Sequence, residues 1–225
     1  MAEQLTFQLP VRASRDRGDF FVSAANALAV SRVEGTESWT RGKLALIGPE
    51  KSGKSHLAHV WCEAEGAWIT NPNALLVADL SAIDTPVAVE IGDGAMETAE
   101  EEALFHLHNH LTAFNLPLLL IGREAPARWP IALPDLKSRL EAIEVVRIDP
   151  PDDALLSAVL VKLFADRQLQ VAADLVGWLV PRMERSFAEC ERVVAALDKA
   201  ALSERRNINR SLARELLDNL HGEAR

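Results

Sequence analysis

One stretch limits what this chain can fold into more than any other. The apolar run Lys43-Leu44-Ala45-Leu46-Ile47 reads as a short buried strand. It passes directly into Gly48-Pro49-Glu50-Lys51-Ser52-Gly53-Lys54-Ser55, and then, through His56, into a helical pattern carrying Leu57, Ala58, Val60 and Trp61. Strand, G-x-x-x-x-G-K-S and helix in that order form the P-loop pattern in the context it requires. The glycines let the backbone curl so that successive N–H groups point inward at phosphate oxygens. The helix start adds the positive end of its dipole. Lys54 is then the residue expected at the β- and γ-phosphates, and Ser55 the one expected on Mg²⁺.

A P-loop must sit in an open parallel sheet, and the rest of the pattern supplies one. Short strands are expected at Ala67–Thr70, Pro86–Ile91, Leu116–Gly122 and Val145–Ile148. Between them lie a brief element at Ala74–Val77, set off by Asn71-Pro72-Asn73, a helix from Thr98 to Phe114 and a short helix at Leu136–Glu141. Ser23 is placed to cap a helix running to Arg32, and Thr98 with Glu101 has the spacing of a capping box. Beyond Pro150-Pro151 every segment reads as helical: Asp152–Arg167, Ala172–Val180, Glu184–Ser203 and Asn209–His221. The expected architecture is α/β: a three-layer α/β/α core with a parallel sheet, followed by a small all-helical domain. Its divisions are a tail at 1–19, a nucleotide-binding core at 20–149 and a helical lid at 150–225.

Charge and composition narrow the function. A net charge of −9 argues against a protein that grips DNA directly through its phosphates. The apolar runs are too short to span a bilayer, and Met1-Ala2-Glu3-Gln4 carries neither the basic nor the apolar part of a secretory signal. Cys62 and Cys190 share no metal-ligand spacing and read as reduced thiols, so a cytoplasmic protein is expected.

A P-loop enzyme also needs an acid at the end of a second buried strand, and usually a further carboxylate for the attacking water. Val87-Ala88-Val89-Glu90 provides the strand and one acid. The next residue is Ile91, which can do neither job, and Asp93 lies further on, leaving Glu90 or Asp93 as the Mg²⁺ acid. His106, His108 and His110 suggest a metal, but only His106 and His110 share a helix face, and a polar face is the simpler reading. Arg139 and Arg185, each read alone, are solvated charges or cations offered to a phosphate. Gln4-Leu5-Thr6-Phe7 reads as a first strand, a tail or a docking peptide with Leu5 and Phe7 as anchors and Gln4 at the rim.

The order of these motifs resembles the AAA+ family and, more narrowly, the Hda proteins, short relatives of the replication initiator DnaA. The segments carrying the resemblance are QLTFQLP, FVSAANALAV, GPEKSGKSHLAHVW, EEALFHLHNHL, PARW, LPDLKSRLEA and ERSFAECERVVAALDKAALSERR. It implies that Gln4, Leu5, Thr6 and Phe7 bind the DNA sliding clamp (the beta subunit of DNA polymerase III). It places Phe21, Val22 and Asn26 beside the adenine of ADP or ATP. It makes Arg139 an arginine finger acting in trans and Arg185 a nucleotide-sensing arginine. Hda-like proteins, loaded with ADP and bound to the clamp on DNA, stimulate DnaA to hydrolyse its ATP, which is negative regulation of replication initiation. DNA is then touched only through the clamp. Because AAA+ proteins place nucleotides at subunit boundaries, a homodimer is among the assemblies implied. The chain departs from the family at Glu90-Ile91, where relatives carry Asp-Asp or Asp-Asn, and at Ile121-Gly122-Arg123, where a polar sensor residue is usual. Weak or absent ATPase activity of its own is therefore expected. The alternatives are a nucleic-acid-stimulated ATPase of the helicase-loader type, a small-molecule kinase and a scaffold that binds no nucleotide.

Overall fold

The computed structural model describes residues 21–204 and 206–222, so the expected clamp peptide, Gln4, Leu5, Thr6 and Phe7, lies outside the described residues. Along the chain run α1 (Ala27–Glu34), β1 (Lys43–Ile47), α2 (Lys54–Glu65), β2 (Trp68–Thr70), α3 (Pro72–Leu75), β3 (Val87–Glu90), α4 (Thr98–Ala113), β4 (Leu118–Gly122), α5 (Pro134–Glu141) and β5 (Glu144–Arg147). They are followed by α6 (Asp153–Asp166), α7 (Ala173–Leu179), α8 (Phe187–Glu204) and α9 (Arg210–Gly222). The five strands form one parallel sheet in the order β2-β3-β4-β1-β5.

The side-chain period of two divides each central strand between two cores. Leu44 and Leu46 of β1, with Leu119 and Ile121 of β4, join Val30 and Val33 of α1 and Leu57, Ala58 and Trp61 of α2. Ala45, Leu118 and Leu120 join Leu104, Leu107 and Leu111 of α4 and Leu136 and Leu140 of α5. The result is the three-layer α/β/α sandwich that the alternating strands and helices imply.

The described chain forms two compact units. One runs to Leu156 and takes in Arg185–Ala188; the other takes in Ser157–Glu184 and the residues from Glu189 onward. The division falls inside α6. The second unit contains only helices among the described residues, and its buried side chains include Leu175, Leu179, Val193, Val194, Leu197, Leu212 and Leu217. No described helix is long and apolar enough to cross a membrane.

Several local expectations are corrected. Ser23 does not cap α1: Ser23 to Asn26 forms a turn, with Ser23 N–H donating to Asn26 Oδ1 at 2.8 Å, and the helix starts at Ala27. Asn71-Pro72-Asn73 ends β2 as expected, but the next element opens at Pro72, two residues before Ala74. Pro72 occupies the first turn of α3, where a missing N–H costs nothing, and Asn71 Oδ1 caps Ala74 N–H at 3.0 Å. The box at the start of α4 is formed by Glu97 and Glu100, one residue earlier than Thr98 and Glu101. α5 starts two residues early because Pro134 opens it, and α8 starts at Phe187, so Arg185 precedes it.

The histidines of α4 divide as the helix period implies, with His108 apart from the other two. His106 is exposed, His110 Nε2 hydrogen-bonds the Ile83 carbonyl at 2.7 Å, and His108 is buried. Burial, reinforced by the positive charges of Lys43 and Arg139, lowers the His108 pKa to about 4, and its Nδ1 has no partner among the described residues. Unfolding releases His108 to its ordinary value near 6.5, so between those pH values the unfolded chain binds a proton that the folded chain refuses. The stabilising difference is complete above pH 6.5 and is lost as pH falls towards 4. Urea titrations at pH 7 and pH 4 should show His108→Leu gaining on the wild type by about 3 kcal/mol over this interval, from 1.36 kcal/mol per pKa unit.

Candidate functional site

The site is built at the carboxyl edge of three adjacent strands. Ile47 of β1 is in register with Gly122 of β4, and Glu90 of β3 is in register with Ile121. The residues that follow each strand therefore emerge side by side around a cleft of about 540 Å³. Its lining includes Glu50, Lys51, Lys54 and Ser55 of the P-loop, Glu90, Ile91 and Asp93 after β3, and Arg123 after β4.

The loop takes its shape from two glycines. A Cβ on Gly48 would stand 2.7 Å from the Ile148 carbonyl oxygen, so only glycine lets the loop leave β1 this close to the chain beyond β5. Gly53 has φ of 90°, which an L side chain rarely adopts, and it turns the loop into α2. Pro49 closes a turn, its carbonyl accepting from Ser52 N–H at 3.3 Å, and Ser52 is buried. Lys54 is folded back. Its Nζ donates to the Gly48 carbonyl at 2.9 Å and to the Pro49 carbonyl, inside the curl the loop makes. Burial first, and then the charge of Arg123, holds the Lys54 pKa below its usual value.

Two acids differ in their commitments. Glu90 lines the cleft and its Oε1 is buried without a hydrogen-bond partner among the described residues. Asp93 is already engaged by Arg123 Nε at 3.0 Å. A buried, unpartnered carboxylate oxygen in a cleft that Ser55 also lines offers oxygen donors of the kind Mg²⁺ favours. Ile91 packs in the apolar core with Trp129 and Ile131, and its N–H donates to the Ile121 carbonyl at 2.8 Å. A second carboxylate is thus missing here because the position has become part of the core.

Phe21, Val22 and Asn26 come near the same edge through a backbone contact, Asp149 N–H to the Ala25 carbonyl at 2.9 Å. Asn26 is buried, and its amide is used locally, donating to the Phe21 carbonyl at 2.8 Å. It shapes the segment, while Phe21 and Val22 stay exposed. Arg185 pairs with Asp153 at 2.9 Å and does not line the cleft.

Arg139 also lies outside the cleft. It is exposed on α5, with its guanidinium 5.0 Å from the centre of the Phe105 ring of α4. One turn earlier on α4, Glu101 is 2% exposed, and its carboxylate accepts from Ala132 N–H at 2.9 and 3.1 Å and from Leu133 N–H at 2.7 Å. Glu101 and Phe105 share a helix face, so α4 holds both the approach to α5 and the arginine on it. Neither Glu101 nor Arg123 is evident as a site residue in the sequence. Arg123 could have been found as the first residue beyond the strand that neighbours the P-loop strand; Glu101 is hidden in an acidic helix start.

Among solved structures, the chain resembles domain III of the replication initiation protein DnaA of Thermotoga maritima, with TM-score 0.75 and 14% identity, covering 94% of this chain and 98% of that one. It is similar to the Holliday junction branch migration motor RuvB of the same organism, with TM-score 0.69 and 16% identity over 93% of this chain and 73% of that one. It is also similar to AMPPCP-bound DnaA from Aquifex aeolicus, with TM-score 0.64 and 15% identity over 80% and 63%. These likenesses and the parallel five-stranded sheet define the fold, which is that of DnaA domain III and RuvB. No family model matches. An uncharacterised protein of Haemophilus influenzae is 29% identical over 119 residues, and the match spans about half the length of each chain, 52% in both cases.

Replacing Glu101 by Ala leaves two N–H groups ahead of α5 without their acceptor. The expected loss is roughly 2–3 kcal/mol in urea unfolding. Glu101→Gln should retain part of this, since an amide offers one acceptor and turns a donor towards the other N–H.

Proposed function

We propose that this chain is an Hda-like regulator of replication initiation, which holds ADP or ATP in its own cleft and supplies Arg139 to ATP bound by DnaA. The observation that carries the reading is the placement of Arg139. It is exposed, seated on Phe105 and outside the chain's own cleft, so it is free to reach a phosphate held by another protein. The cleft itself is equipped to hold a nucleotide more than to turn one over, because Ile91 stands where a second carboxylate would be needed.

In this reading the curled N–H groups from Gly48 to Ser55 bind the phosphates. Lys54 leaves the Gly48 and Pro49 carbonyls for them. Phe21 and Val22 lie beside the base, and Arg185 exchanges Asp153 for phosphate. Ser55 and Glu90 would hold Mg²⁺, which neutralises phosphate charge. The nucleotide-bound DnaA structures and the fold they share with this chain support the assignment of the cleft. Gln4, Leu5, Thr6 and Phe7 dock on the sliding clamp and bring the chain to DNA indirectly. The protein acts in the cytoplasm.

The test is hydrolysis of DnaA-bound ATP in a mixture of this chain, ADP, sliding clamp and DNA. Acceleration is expected, and its absence would sink the proposal. Arg139→Ala should lower the stimulated rate by about 10³-fold or more, the scale of an arginine finger, while leaving calorimetric ADP binding intact. Gln4→Ala with Leu5→Ala should abolish co-elution with the clamp. ATP turnover by the chain alone, stimulated by single-stranded DNA, would instead support the helicase-loader alternative.

A further inference from the structure

Arg123 occupies an unusual place. It is the first residue after β4, one position beyond Gly122, whose register partner Ile47 precedes the P-loop. Its guanidinium joins two loops that are remote in sequence: Nη2 pairs with Glu50 of the P-loop at 2.8 Å, and Nε pairs with Asp93 beyond β3 at 3.0 Å. All three side chains line the cleft, and each is about half exposed.

Charge around the cleft makes this arrangement informative. Four carboxylates, Glu50, Glu90, Asp93 and Glu100, line it against three cations, Lys51, Lys54 and Arg123. A cleft with that balance repels a polyphosphate unless some of the acids are neutralised. Arg123 pairs with two of them at once, its one positive charge shared between Glu50 and Asp93. It is also near enough to Lys54 for its charge to lower that lysine's pKa, so one anion can draw on both cations. A guanidinium matches phosphate oxygens as well as it matches carboxylates, and a polyphosphate carries more charge than either acid. The pairs with Glu50 and Asp93 are solvent-exposed and therefore weak enough to exchange.

We propose that Arg123 is a phosphate-binding residue of this cleft, held across its mouth by Glu50 and Asp93 and released from them when a nucleoside polyphosphate enters. The inference rests on the reading of the cleft as a nucleotide site and adds to it a cation that competing carboxylates keep in position. Nucleotide entry then carries a switch. The Glu50–Arg123–Asp93 bridge ties the P-loop to the loop after β3 in the empty cleft, and phosphate separates them.

Isothermal calorimetry with ADP, with and without Mg²⁺, on the full chain tests this. Arg123→Ala should weaken ADP binding roughly 10- to 100-fold, the value of a charge-assisted hydrogen-bonding group, and Arg123→Lys should lie between it and the wild type. Asp93→Asn should tighten binding by removing a competitor, and this gain should vanish in the Arg123→Ala background. A purely structural bridge would behave differently: Asp93→Asn would then weaken binding or leave it unchanged. A gain from Asp93→Asn that persists without Arg123 would reduce the effect to general charge and overturn the exchange. Equal ADP binding by wild type and Arg123→Ala would also overturn it, with the nucleotide site itself left standing. No ADP binding by the wild type would remove the site. If Arg123→Ala fails to fold, judged by circular dichroism, Arg123→Gln and Asp93→Asn carry the same comparison.

Discussion

The structure depends on one buried strand and the loop that leaves it. β1 lies between β4 and β5, and all five of its residues are buried. A strand in that position has no freedom to slide, because a one-residue slip would exchange Leu44 and Leu46 with Ala45 between two different cores. Register is therefore fixed, and with it the point at which the chain must turn. Gly48 makes that turn against the Ile148 carbonyl with no space for a Cβ. The parallel sheet does the rest: the loops after β1, β3 and β4 are forced to the same edge, where α/β folds place their ligands.

Much of this was legible beforehand. The β1–loop–α2 unit could be read because an apolar run, two glycines and an amphipathic helix each point to the same local structure. The strands were found for the same reason, since each is a short apolar run bounded by turn residues. The misreadings share a different cause. Asn71-Pro72-Asn73 ends β2 as it reads, but proline is also favourable at a first helical turn, and only the fold shows that the next element opens at Pro72 and not at Ala74. Glu97, Thr98, Glu100 and Glu101 offer two overlapping capping boxes. The choice between them was made by Ala132 and Leu133, thirty residues away, which needed the Glu101 carboxylate. Periodicity sets His108 apart from His106 and His110 but does not show that it is buried near the positive charges of Lys43 and Arg139. What remained hidden was long-range pairing, and the site residues missed, Glu101 and Arg123, are both defined by it.

Carboxylates in this fold are either spent on structure or held in reserve. Glu101 is spent: buried, with three short contacts to two backbone N–H groups. Asp93 and Glu50 are held by Arg123 at the surface. Glu90 alone keeps a buried oxygen with no partner among the described residues. An unsatisfied buried oxygen costs stability, so its persistence in the cleft is better explained by a ligand than by packing.

Ile91 turns this inventory into an argument about mechanism. In a site that hydrolyses its own nucleotide, a carboxylate must hold water against the terminal phosphate. Here that position is given to the apolar core, where Ile91 meets Trp129 and Ile131 on the same side of the sheet as α4 and α5. Ile91 brings no charge to the cleft and adds packing against Trp129 and Ile131, in the segment that leads to α5. It leaves the cleft without a further acid at that position to hold water, and it joins the core against which Phe105, the ring beneath Arg139, also packs. In the proposed reading, such a chain keeps its own nucleotide and offers Arg139 to a phosphate held elsewhere.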